Sequence, residues 1–252
     1  MDTSVKAKGV IPRVAPFFCW VLLACTALPV YAGNEITQGQ WKAVFDLPTD
    51  RYGHAVLGNT PEWGRLCVSR DSLTHCIELP QHQVFEDLVP RLVDVDLDGD
   101  LDAVVVESDQ SYGASLVVYL WREAGLIRVS TPAIGTRYRW LAPVAVADLD
   151  QGGQIELAFI DRPHLAKTLR VFRYSDQALH ELASLPGLTN HRIGDDFIVG
   201  GVRDCGGDLK LITADSDWQR VMATELRLGQ LHTQPIGTLK RIEDVNLALG
   251  CP

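Results

Sequence analysis

A run of alternating aspartates constrains this chain more than any other feature. From Leu92 to Val106 the sequence reads Leu-Val-Asp-Val-Asp-Leu-Asp-Gly-Asp-Leu-Asp-Ala-Val-Val-Val. The pattern returns 54 residues on, where Asp148, Asp150, Gly153 and Glu156 fall on Asp94, Asp96, Gly99 and Asp102 without a gap. A further shift of 54 lands on Val202 to Lys210, which keeps Gly207 and loses most of the acids. A fainter first copy runs through Asp46 to Gly53 into His54-Ala-Val-Leu57. Self-similarity at a fixed period is the mark of a repeat architecture, and four copies nearly exhaust the chain beyond residue 33.

The runs inside each copy are short, β-branched and bounded by turn residues, which is a strand pattern. The second copy predicts strands at about Arg91–Val95, Ala103–Glu107, Ser115–Trp121 and Leu126–Thr131, with Arg122 to Gly125 closing the last hairpin. Four antiparallel strands recurring at this length predict an all-β fold, a β-propeller of about four blades. The expected ring is closed, with an incomplete or dimer-closed ring as the alternative.

The loop Asp94 to Asp102 resembles the FG-GAP or VCBS repeat, the blade type of integrin α-subunit propellers. The resemblance implies a structural calcium ion held by the side chains of Asp94, Asp96, Asp98 and Asp102 and the carbonyl oxygen of Asp100. A weaker second site would use Asp148, Asp150 and Glu156, since Gly152 stands where a ligand carboxylate would be. The fourth copy, with Val202 and Lys210 at ligand positions, should hold none. Calcium takes six to eight oxygens, and clustered carboxylates repel one another without a cation. The alternative is a solvated acidic turn. An EF-hand is excluded, because position twelve is Val105 rather than glutamate.

Three basic residues, Lys6, Lys8 and Arg13, precede the apolar run Ala15 to Leu28, and Val30-Tyr31-Ala32 offers a signal-peptidase site. Residues 1–32 are therefore expected to be a signal peptide, leaving residues 33–252 as one domain, periplasmic or secreted. A lipobox reading of Leu22 to Cys25 is the competing possibility. No run reaches the roughly 18 apolar residues of a membrane span. A net charge of −9 argues against nucleic acid as a partner. Cys67, Cys76, Cys205 and Cys251 remain after the signal, an even number that suits disulfides in an oxidising compartment. Cys67 and Cys76 flank a tight turn at Asp71-Ser72 and are expected to pair, which leaves Cys205 for Cys251.

If each acidic loop joins the first two strands of its blade, the other connections lie on the opposite rim, and loops on a rigid scaffold carry most function. Those connections are Gly58 to Trp63, Ser108 to Tyr112, Asp161 to Lys167 and Asp215 to Arg220, with links at Arg137 to Trp140 and Thr189 to Asp196. Arg137, Arg139, Trp140, His164, Lys167, His191, Arg192 and Trp218 are thus the candidate ligand residues, Arg and Trp being enriched at binding hot spots. The alternative is that the tryptophans pack between blades and the arginines pair with nearby acids. A module binding a protein, peptide or glycan is the expected function. The competing reading is a hydrolase or lyase acting on an anionic substrate through His164 beside Asp161, or His191 beside Asp195 or Asp196. No nucleophile elbow, zinc-protease or phosphate-loop motif is present.

Overall fold

The structure is a computed structural model that describes Met1 and residues 34–251. The expected signal peptide, its cleavage point and Cys25 lie outside the described residues. The described chain is all-β apart from one short helix, and every strand pairing is antiparallel. This is the fold class expected from the apolar pattern and is compatible with a propeller.

The strands fall into four consecutive units. The first is β1 (Glu35–Gln38), β2 (Trp41–Thr49), β3 (Glu62–Arg70) and β4 (Leu73–Glu78). A short β5 (Gln83–Phe85) then bridges β3 to the second unit, which is β6 (Arg91–Val93), β7 (Asp102–Asp109), β8 (Gly113–Arg122) and β9 (Gly125–Ser130). The third is the sheet of β10 (Leu141–Ala147), β11 (Glu156–Asp161), β12 (Thr168–Ser175) and β13 (Ala178–Pro186). A two-residue β14 (Leu188–Thr189) leads into β15 (Gly201–Asp204), β16 (Leu209–Asp215), β17 (Arg220–Arg227) and β18 (Gln230–Thr238), and helix α1 (Glu243–Leu247) follows. β5 and β14 play one part: each pairs with the C-terminal end of the next unit's second strand, beside that unit's first strand.

Burial explains why the strand sequences differ between units. Along β7, Val104 and Val106 face one apolar cluster while Ala103 and Val105 face another, and β8 divides Leu116, Val118 and Leu120 from Val117, Tyr119 and Trp121 in the same way. A strand buried on both faces needs a continuous apolar run rather than alternation. The β11 residues Leu157 and Phe159 join the second unit's cluster, and Ala158 and Ile160 join the fourth unit's. On β16 Leu211 turns to the third unit, whereas Ile212 and Ala214 turn to Val245 of α1. Among the described residues, the clusters thus link unit one to two, two to three and three to four, and α1 covers the far face of unit four. The corresponding face of the first unit carries ion pairs, Lys42 with Glu35 at 2.7 Å and Arg65 with Asp46.

Both disulfides form as expected. Cys67 stands opposite Cys76 in the β3–β4 register, and Cys205 ties the last loop to Cys251.

The first copy of the repeat is misplaced by the sequence reading. His54 to Leu57 form no strand, Asp46 lies inside β2 opposite Arg65, and Trp63 lies in β3 rather than in a connection. The disulfide hairpin fixes β3 and β4 as third and fourth strands, so the first two are β1 and β2. A turn at Gly39-Gln40 replaces the acidic loop there. The long connection of this unit is residues 50–61, at the opposite end of its strands. Arg51 anchors it by donating to the carbonyls of Gln83 and Leu79.

Candidate functional sites on two opposite rims

The acidic loop of the second unit is held open by its own backbone. Asp94 accepts hydrogen bonds from the amides of Asp98, at 3.0 Å, and Gly99, at 2.9 Å, so its carboxylate caps the turn. Leu97 and Gly99 have φ of 60° and 96°, and Gln151 and Gly153 have φ of 58° and 78° in the third unit. The same left-handed backbone recurs at positions 54 apart, which only a short loop with a glycine bend sustains at little cost. Asp102, the first residue of β7, is buried and accepts from the amides of Val95 and Trp121 at 2.8 Å each.

This geometry brings ligand oxygens of Asp94, Asp96 and Asp102 within 4.8 Å of one another, and those of Asp148, Asp150 and Glu156 likewise. Burial pushes the Asp102 carboxyl up to about 7, against the pull of its two amide donors, and it pushes Glu156 up as well. One oxygen of Asp96 and one of Asp148 are buried without a hydrogen-bond partner. An all-oxygen donor set with an orphaned buried oxygen in each cluster fits a hard divalent cation. The side chains of Asp98 and Asp100 stand outside the trio: Asp98 is bonded to Arg122 at 2.8 Å and Asp100 to Arg70 at 2.6 Å. Arg122 also reaches Asp96, and in the third unit Arg173 reaches Asp150 at 2.7 Å and Glu156 at 2.5 Å. In the fourth unit Lys210 takes the position of Asp102 and Glu156 and bonds Glu225 at 3.1 Å, so an ammonium sits where the other two units gather oxygens.

The opposite rim lies at the other end of the second strands, roughly 17 Å away along a six-residue strand such as β11. Its centre is a small half-open cleft of about 30 Å³ lined by His54, Val56, Tyr138, Arg139, Trp140, Arg162, Pro163, His164 and Leu165. Of the candidate ligand residues, Arg139, Trp140 and His164 line it directly. His191 stands behind His164, with ring nitrogens 2.9 Å apart, and its other nitrogen donates to the Asp195 carbonyl at 3.0 Å. A carbonyl can only accept, so a neutral His191 carries its proton on Nε2 and accepts from His164 Nε2–H. Burial, with the rings of His191 and His54 beside it, pulls His164 down to about 4, and burial also lowers His191.

Trp140 is buried and donates to the Glu86 carbonyl at 2.9 Å, so it is the floor of the pocket as much as a contact surface. Arg137 lies over the Tyr138 ring at 4.4 Å and Arg192 over Trp218 at the same distance, while Lys167 donates to the Ser216 carbonyl at 2.6 Å.

The acid–histidine pairs of the hydrolase reading do not form. Asp161 is taken by Arg162 at 2.8 Å, and His191 meets the Asp195 backbone rather than a carboxylate. A different pair exists that the sequence reading missed. His54 donates from Nδ1 to the buried carboxylate of Glu86 at 2.7 Å, and Ser108 donates to the other Glu86 oxygen at 2.5 Å. Burial raises the Glu86 carboxyl above the usual range, against the pull of His54. His54 arrives on the 50–61 connection, stacked on Tyr138 at 5.1 Å.

No curated protein matches the chain. A family model described as the FG-GAP-like repeat matches residues 94–159, from the first aspartate of one acidic loop through the whole of the next. Residues 94–159 are therefore similar to the FG-GAP-like repeat, the likeness that the acidic loop pointed to.

Proposed function

We propose that this protein is an exported, calcium-stabilised β-propeller-type binding module that engages its ligand through the rim opposite the acidic loops. The observation that carries the reading is the convergence of four separate segments, around His54, Arg139, His164 and His191, on one rim. The four units act as blades. The unbroken succession of apolar clusters, ending under α1, supports an arc open between units four and one in preference to a closed ring. Two disulfides support an oxidising, periplasmic or secreted location. Among the described residues, no helix is long and apolar enough to cross a membrane.

Calcium in this reading is structural. Asp94, Asp96 and Asp102 would hold one ion and Asp148, Asp150 and Glu156 a second, with loop carbonyls and water completing the shell. The ligand is a protein, peptide or glycan, and the rim supplies aromatic faces and cations for it. Immobilised mature protein should retain a partner from the envelope fraction of the producing cells, and Trp218→Ala should weaken that retention by about 1 to 3 kcal/mol. Retention that survives every substitution on the rim would place the binding surface elsewhere. A hydrolase reading would now rest on His54 and Glu86, and turnover abolished by His54→Gln in a folded protein would favour it.

A further inference from the structure

The rim pocket has a chemical character of its own. Its lining contains four basic side chains, His54, Arg139, Arg162 and His164, and no carboxylate, on a chain of net charge −9. The acids nearest to it stand behind the bases. Glu86 holds His54 by Nδ1 and leaves Nε2 for the pocket, and Asp161 holds Arg162. The remaining arginines sharpen the point. Eleven arginines among the described residues pair with a carboxylate. Arg51 and Arg203 donate to distant carbonyls instead. Arg137, Arg139 and Arg192 do neither, and all three belong to this rim; Arg139 has only the carbonyl of its neighbour Tyr138, at 3.3 Å.

We propose that the pocket binds a carboxylate carried on a short apolar stem, seated between Arg139 and His54. This rests on the reading of the rim as the ligand face. The charge balance selects the class. Arg162 is paired with Asp161, His54 with Glu86 and His164 with His191, so Arg139 is the one guanidinium of the lining without a carboxylate partner. That matches a monoanionic carboxylate rather than a phosphate dianion. A guanidinium presents paired N–H donors to a planar carboxylate. The apolar wall of Val56, Pro163 and Leu165 suits a hydrocarbon stem and would leave a fully polar oxyanion poorly solvated. The carboxylate has two sources, a small organic acid or the free C-terminus of a peptide.

The test titrates the mature protein with propionate, with sulfate, and with N-acetyl-alanyl-leucine bearing either a free or an amidated C-terminus. Binding is read from the Trp140 indole and His164 ring signals by NMR. The free carboxylates should move both signals saturably, the amide and sulfate should not, and Arg139→Met should weaken binding by about tenfold or more, the loss of one charge-assisted contact. Arg139 is half-buried and its side chain bonds only the carbonyl of its neighbour Tyr138, so the variant should melt as wild type does. A peptide source is shown if the free peptide binds about tenfold or more tightly than propionate, a small acid if the two are equal. Equal binding of amide and acid, equal binding of sulfate, or full affinity in Arg139→Met would each overturn the carboxylate inference. The rim reading is tested apart from it. A partner lost with Trp218→Ala but indifferent to Arg139→Met and to excess propionate sinks the inference and leaves the rim standing.

Discussion

The aspartates of one loop do two different jobs, and single substitutions separate them. Asp94 uses both oxygens to cap its own turn, whereas Asp96 keeps a buried oxygen with no partner. A protein that binds calcium there should melt higher with calcium than with chelator, a ligand at a hundredfold excess over its Kd adding about 2.7 kcal/mol. Asp96→Ala should remove most of that difference, as read by calorimetry in both conditions; equal melting of wild type and variant, with and without calcium, would reduce the loop to a turn. His164 gives a second prediction, with opposite demands on pH. Its folded value near 4 lies below the ordinary 6.5, so below pH 6.5 the unfolded chain takes up a proton that the folded protein refuses. The stability it contributes is intact above about pH 6.5 and drains away as pH falls towards 4. Partial exposure trims the effect to about 1–2 kcal/mol. Denaturant midpoints of wild type and His164→Gln should therefore converge in this window, and a constant gap between them from pH 7 to 4 would contradict the burial cost.

At the scale of elements, the two disulfides close loops of different length and should differ in value. The bridge at Cys67–Cys76 spans 9 residues and the one at Cys205–Cys251 spans 46. Loop-closure entropy gives about 2.6 kcal/mol for the first and about 4 kcal/mol for the second. Cys205→Ser/Cys251→Ser should accordingly lower the midpoint of unfolding more than Cys67→Ser/Cys76→Ser, and the reverse order would show that α1 holds its place without the staple. The same hairpin explains what the sequence made legible. Where the acidic loop is complete, in unit two, the expected strands fall within about two residues of β6, β7, β8 and β9. In unit one the loop is gone, and Asp46 to Gly53 imitates its spacing by chance. The better signal was the alternation Trp41, Ala43, Phe45 after Gly39, which marks a half-buried strand. The His54–Glu86 pair had no such signal. Glu86-Asp87 reads as a solvated acidic turn, and only the packing of the 50–61 connection under Tyr138 reveals that both acids are buried.

The 50–61 connection also decides how the whole molecule unfolds. Repeats that touch only their neighbours give stability as a sum of local terms and can lose units one at a time. Here the first unit sends Val56 and Leu57, both nearly fully buried, into the cluster shared by units two and three, past its nearest neighbour. Gly58 at its tip approaches the carbonyl of Gly194 on the link to unit four: an added Cβ would stand 3.1 Å from that oxygen. Tyr52 fixes the base of the connection, its hydroxyl accepting from the Tyr138 amide at 2.8 Å. One segment thus ties the first unit to the second and third and to the link that leads into the fourth, and removal of unit two or three would expose its apolar side chains. The chain should unfold in a single transition despite its repeat sequence. Leu57→Ala should cost about 2–5 kcal/mol, the usual range for emptying a buried leucine site. It should also weaken the coupling between units, so that fluorescence and far-ultraviolet dichroism, coincident in wild type, separate in the variant. Coincident transitions in Leu57→Ala would show that the contacts between adjacent sheets alone suffice to make the four units one cooperative body.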